Sequence, residues 1–94
     1  MTSGLLEGVR VVDLAGEAGA IAGRVLGDLG AEVVVVEPAG GHPLRALPHR
    51  WLAWSAGKAS VAVDGPADAV LDDLFATADI VIDTPGAPGA LTLD

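Results

Sequence analysis

Apolar and polar positions change their period along this 94-residue chain, and each change marks an element. Val9, Val11, Val12 and Leu14 form a short run of mainly β-branched residues, as in a strand buried on both faces. Asp13 interrupts that run near its carboxyl end, where α/β sheets place their ligand crevices. Ala15 to Gly19 is a turn of small residues. From Ala18 to Leu29, the residues Ile21, Val25 and Leu29 recur every four positions, with Ala22 and Leu26 beside them. These five share one arc and Arg24 and Asp28 fall outside it, which predicts an amphipathic helix with that arc turned to a core. Gly30 suits the C′ position that stops the helix. Glu32 and Glu37 bracket Val33 to Val36, a second buried strand. A helix between two strands predicts a parallel pair with a right-handed crossover.

The later elements are shorter. Residues 1–7 read as a leader whose Leu5 and Leu6 cover an edge of the core. Pro38 to Arg45 reads as a loop, with two prolines and a Gly-Gly pair. Residues 46–58 stay open, with a helical turn or two within Ala46 to Ser55 carrying Trp51 and Trp54. Ser60 to Val63 is a third strand, ended by Asp64 and Gly65. Pro66 sits where a first helical position tolerates proline. In the helix that follows, Val70, Leu71, Leu74, Phe75 and Ala78 share a face, and Asp68 suits the positive helix start. Ile80 to Ile82 is a fourth strand, and Pro85 to Gly89 opens a turn-rich tail. The expected fold is α/β: a Rossmann-like parallel half-sheet, β-α-β-loop-β-α-β, forming one partial domain over residues 1–94. Two helices for four strands leave a sheet face or edge without cover.

Composition narrows the function classes. The chain is 51% apolar, with Trp51, Trp54 and Phe75 as its aromatic residues, and its net charge is −8. That charge opposes binding to nucleic acid or to an anionic membrane surface. Without cysteine there is neither a disulfide framework nor a thiolate metal site. No apolar run approaches the ~20 residues of a spanning helix. The opening MTSGLLEG lacks the basic region and apolar core of a signal peptide, so a cytoplasmic setting is expected.

The candidate chemistry is sparse. Gly16-x-x-Gly19 before a helix either presents backbone N–H groups to a phosphate or only lets the turn close; it lacks the dinucleotide spacing G-x-G-x-x-G. Glu37 stands where Rossmann proteins hold a ribose, or else is an exposed strand-end acid. Gly19, Gly23 and Gly27 form a stripe, which suits a closely packed backbone or reflects an Ala/Gly-rich composition. His42, Arg45, His49 and Arg50 gather positive charge into one segment, which either meets an anionic ligand or is solvated. Two histidines without a carboxylate cluster give no metal site, and no catalytic Ser/His/Asp set has usable spacing.

Four segments together carry a resemblance: LEGVRVVDL, LGDLGAEVVVVEPAGGHPLR, GKASVAVD and ADIVID. In that order they resemble the amino-terminal region of the family III CoA-transferases, the group of formyl-CoA transferase, carnitine-CoA transferase and α-methylacyl-CoA racemase. Leu29 to Pro38, followed by Gly40-Gly41 and Arg45, is the most specific part. The resemblance implies a Rossmann-like large domain split by a small one, in chains that interlock as dimers. It implies CoA or acyl-CoA as ligand, no metal, and transfer of CoA between acyl groups or epimerisation of an acyl-CoA. In the transferases an aspartate attacks the thioester, which divides the reaction into easier steps. No residue of this chain is assigned that catalytic role. The family's CoA contacts carry over to Gly16, Glu17 and Ala18 in the first turn, to Pro38, Ala39 and Arg45 after the second strand, and to Thr84 and Pro85 after the fourth.

This sequence also departs from the family. The first turn is shorter and lacks its proline. Pro38 stands where some members carry a basic residue. Ser55-Ala56-Gly57-Lys58-Ala59-Ser60 lacks two arginines, His42 replaces an aspartate, and Thr84-Pro85 replaces Asn-Phe. Two functional expectations follow: a CoA-binding segment without catalysis of its own, or a degenerate non-enzymatic module that keeps the fold to assemble with a catalytic chain. Its expected macromolecular partner is either a second copy or that complementary chain. A nucleotide-binding fragment of an oxidoreductase is the weaker alternative, against which the missing G-x-G-x-x-G argues.

Overall fold

The β-branched runs form the strands expected of them, and each pairs in parallel with its neighbour. The structure is a computed structural model that describes residues 4–14, 17–38, 40–65 and 68–83. In chain order it contains β1 (Arg10–Asp13), α1 (Glu17–Asp28), β2 (Glu32–Pro38), a 3-10 turn (Pro43–Ala46), α2 (Pro48–Ser55), β3 (Ala59–Val63), α3 (Ala69–Thr77) and β4 (Ile80–Ile82). The four strands lie in the order β3-β2-β1-β4. Val12 stands opposite Val34 and Val81, and Val36 opposite Val61, so all carboxyl ends reach one edge of the sheet.

Alternation along the strands divides the core between two faces. On one face Val12, Leu14, Val36 and Val63 pack against Leu71 of α3, with Leu74, Phe75 and Ala78 around it. Asp68 starts α3 by accepting the Val70 N–H at 2.9 Å, as an N-cap aspartate does. The described helix begins at Ala69; Pro66, where a first helical position was expected, lies outside the described residues. Val70, expected on the inner face, is 40% exposed. On the other face lie Val11, Asp13, Val33, Val35 and Glu37, beneath α1 and α2. α2 takes up the helical turns left open for Ala46 to Ser55, while Ile80 and Val81 of β4 stay 36% and 44% exposed, so the β4 edge of the sheet lacks full cover.

The orientation of α1 corrects the amphipathic reading. Ile21, Val25 and Leu29, the expected core stripe, are 45%, 53% and 38% exposed. The buried positions are Gly19, Ala20 and Gly23 instead. Small residues let the helix axis settle close to the sheet, and a larger side chain on that side would hold it away. The glycine stripe is thus the packing face, and the apolar arc faces out. Gly30 ends this helix as expected: it takes φ 107°, and a Cβ there would meet the Gly4 backbone at 3.1 Å. Leu5 is 90% exposed and covers no core edge. Leu6 ties the leader down through its backbone, donating to the Leu29 carbonyl at 3.0 Å.

Candidate functional site at the carboxyl edge of the sheet

Two carboxylates are buried on the helix-covered face. Asp13 ends β1 opposite Val35, and Glu37 lies two residues further along β2 on the same face. They are 1% and 4% exposed. Each is met by a cation from the connection between β2 and β3. Periodicity gave no sign of this, because it cannot show which long-range partner a strand residue will find.

Lys58 meets Asp13. Its side chain is 2% exposed, and Nζ lies 3.5 Å from Asp13 Oδ2 while donating to the Ala20 carbonyl at 3.0 Å. Burial lowers the pKa of this ammonium, and the charge of Asp13 opposes that shift. Gly23 makes room for the pair. A Cβ at that position would lie 2.8 Å from Asp13 Oδ2 and 3.0 Å from Lys58 Nζ. One glycine of the stripe is therefore required by an ion pair beneath it.

Arg45 meets Glu37. Its Nε and Nη2 donate to the two carboxylate oxygens at 2.6 and 2.8 Å, the forked geometry that suits guanidinium to carboxylate. The His42 backbone N–H adds a bond at 2.8 Å. Chiefly through the Arg45 hydrogen bonds, opposed by burial and helped by the His42 N–H, the Arg45 charge and Ser60, the Glu37 carboxyl falls from its usual 4.5 to about 2. Glu37 is thus neither an exposed strand-end acid nor a group open to a ribose. It holds the segment that follows β2 against the sheet.

The segment expected to be a solvated basic loop is folded onto this anchor. His42 is 4% exposed, and its Nδ1 accepts the Leu44 N–H at 3.1 Å to start the 3-10 turn. The Arg45 guanidinium carbon sits 4.2 Å from the Trp51 ring centre, and the His42 ring lies 5.5 Å from the same indole. Behind them a cavity of about 10 Å³, bordered by Asp13, Val35, Leu44, Trp54 and Lys58, has room for about one water. The chain's own side chains fill the space between α1, α2 and the sheet.

Among the described residues, Arg10 pairs with Glu32, Arg24 with Asp28, Arg45 with Glu37 and Lys58 with Asp13. Arg45 differs from Lys58 in that its side chain stays 47% exposed. His49 and Arg50 lie with Leu47 and Pro48 around a shallow surface depression, apart from this cluster.

Among the nominated contacts, Pro38 closes β2 at the carboxyl edge and Arg45 is fixed beside that strand end. Glu17 and Ala18 open α1 above β1. Gly16, Ala39, Thr84 and Pro85 lie outside the described residues. Asp83 follows β4 at the same edge, and its Oδ1 is enclosed without a hydrogen-bond partner. No group of three potential metal ligands occurs among the described residues. No helix there is long and apolar enough to cross a membrane.

Comparison with known proteins agrees with this geometry. The profile of CoA-transferase family III matches residues 6–94. The CoA-transferase/lyase DddD of Marinomonas sp. is 39% identical over 99 residues, covering 95% of this chain and 11% of that protein. The probable fatty acyl-CoA transferase Rv3272 of Mycobacterium tuberculosis is 38% identical over 104 residues, covering 94% of this chain and 26% of that protein. A crystal structure of Rv3272 superposes with a TM-score of 0.74 at 38% identity, over 86% of this chain and 25% of that one. A point mutant of the same protein gives 0.77 at 40% identity, over 88% and 26%. The chain therefore spans between about a tenth and a quarter of the relatives it matches.

Proposed function

The chain belongs to CoA-transferase family III, and from that premise we propose that it is a CoA-binding amino-terminal segment of the family's large domain. Its service is to CoA transfer between acyl groups or to racemisation of an acyl-CoA. The observation that carries this reading is the parallel register, which brings the ends of β1, β2 and β4 to one edge. Ligands of open α/β sheets bind outside such strand ends. The proposed contacts there are Gly16, Glu17 and Ala18, Pro38, Ala39 and Arg45, and Thr84 and Pro85.

Within that edge Arg45 is the chain's evident partner for a phosphate. Glu37 and Trp51 hold its guanidinium in place, so little side-chain freedom remains to be lost on binding. The same carboxylate offsets much of its charge. The segment is proposed to bind and orient, and the covalent step falls to polypeptide outside it. Asp13 is unsuited to attack a thioester, being 1% exposed and paired with Lys58. Neither Asp64 nor Asp83 is assigned that role.

A second reading draws on the pairing of Arg10, Arg24, Arg45 and Lys58 with carboxylates of the chain itself. Under it the segment is a degenerate, non-enzymatic module that keeps the fold to assemble with a catalytic chain. Calorimetric titration of the folded chain with CoA separates the two. A saturable heat with a dissociation constant below about 1 mM is expected. Absence of saturable heat overturns CoA binding and leaves the second reading.

A further inference from the structure

We propose that Lys58 is a positioning residue whose ammonium, shared between Asp13 and the Ala20 carbonyl, ties the end of β1 to the first turn of α1. The inference rests on the CoA-binding reading, which places contacts in that turn. Asp13 is the last residue of β1 and Ala20 lies in the first turn of α1. One ammonium touches both points, at 3.5 Å and 3.0 Å. A lysine suits this task, because its point charge carries donors that turn toward two separate acceptors.

Two further observations fit a positioning role better than direct contact. The Lys58 side chain is only 2% exposed, so a ligand at the carboxyl edge does not reach it. Gly23, one turn beyond Ala20, leaves no room for a Cβ beside the pair. A Cβ there would force the carboxylate or the ammonium to shift. Arg45 holds the far side of the same edge through Glu37. The two cations of the β2–β3 connection thus fix the two flanks of the proposed site while facing inward.

The test is the double variant Asp13→Asn/Lys58→Met, which removes both charges at nearly constant volume. Two readouts apply: CoA affinity by calorimetry, and amide hydrogen exchange along α1. CoA binding is expected to weaken by about tenfold or more, as small misplacements of a contact group do. Amides of residues 21–24, which bond to the carbonyls of the first helical turn, are expected to exchange about tenfold faster, with those of 25–28 unchanged. A role confined to global stability would speed exchange throughout the chain, and that result overturns the proposal. So does wild-type affinity with wild-type exchange. If the wild-type chain itself fails to bind CoA, the functional reading falls while the exchange pattern still decides the role of Lys58. Should the double variant not fold, Gly23→Ala displaces the ammonium by its Cβ, and the same local exchange pattern is expected. Wild-type behaviour of that variant also counts against the proposal.

Discussion

Replacing Lys58 with methionine is expected to lower the stability of the chain by about 3–5 kcal/mol. Methionine nearly keeps the length and packing of the lysine stem, so little of the loss arises from a cavity. What remains is a carboxylate on Asp13, 1% exposed, deprived of its cation. The Ala20 carbonyl loses the same donor. A domain of this size has about 5–15 kcal/mol of stability in all, so the variant unfolds at markedly lower denaturant. Urea titration followed by Trp51 and Trp54 fluorescence measures the change. Neutralising both partners in Asp13→Asn/Lys58→Met recovers most of it, because a neutral buried pair carries no desolvated charge. A single-variant loss below about 1 kcal/mol would show that the pair contributes little.

Acid is the second lever. The Glu37 carboxyl stays ionised in the fold down to about pH 2, whereas its ordinary value is 4.5. The unfolded chain therefore takes up this proton first, and the stabilising contribution is complete only above 4.5. It fades as pH falls from about 5 toward 2. Arg45 is half exposed and water screens the pair, so its contribution is roughly 2–3 kcal/mol. Thermal unfolding between pH 7 and 2.5 records the decline, and Glu37→Gln removes this part of the pH dependence together with its stabilisation. An unchanged pH profile in Glu37→Gln would contradict the assignment.

Local chemistry made the strands, their parallel pairing and the end of α1 legible in advance. The valine runs at Val11 to Val12 and Val33 to Val36 have few places to go except a doubly covered parallel sheet. Gly30 and Asp68 mark the end of α1 and the start of α3 through backbone rules that need no tertiary context. The inward face of α1 was not legible in the same way. The helix carries both an apolar arc and a small-residue stripe, and periodicity cannot say which one meets the sheet. Close approach selected the glycines, and Ile21, Val25 and Leu29 were left outside.

The candidate site divides in the same manner. Motif resemblance brought Arg45 and Pro38 to notice, and the fold sets both at the carboxyl edge. The internal commitment of the cations was hidden, because Lys58 and Asp13 stand 45 residues apart. Loop composition describes Arg45 as available to an anion, and it does not single out Lys58. Only their partners show that each is first a counter-ion to a buried carboxylate. Gly23 was the available clue: a helix-interior glycine at the level of a strand-end aspartate signals a group that needs the space.

An amide chemical-shift titration of the isotopically labelled chain with CoA tests the central claim most directly. Saturable shifts confined to residues 17–18, the 40–45 segment and residue 83 at the end of β4 are expected, with α3 and the outer face of α1 unmoved. Saturable shifts centred on Ile21, Val25 and Leu29, or none at millimolar CoA in a folded sample, would contradict a ligand site at the carboxyl edge.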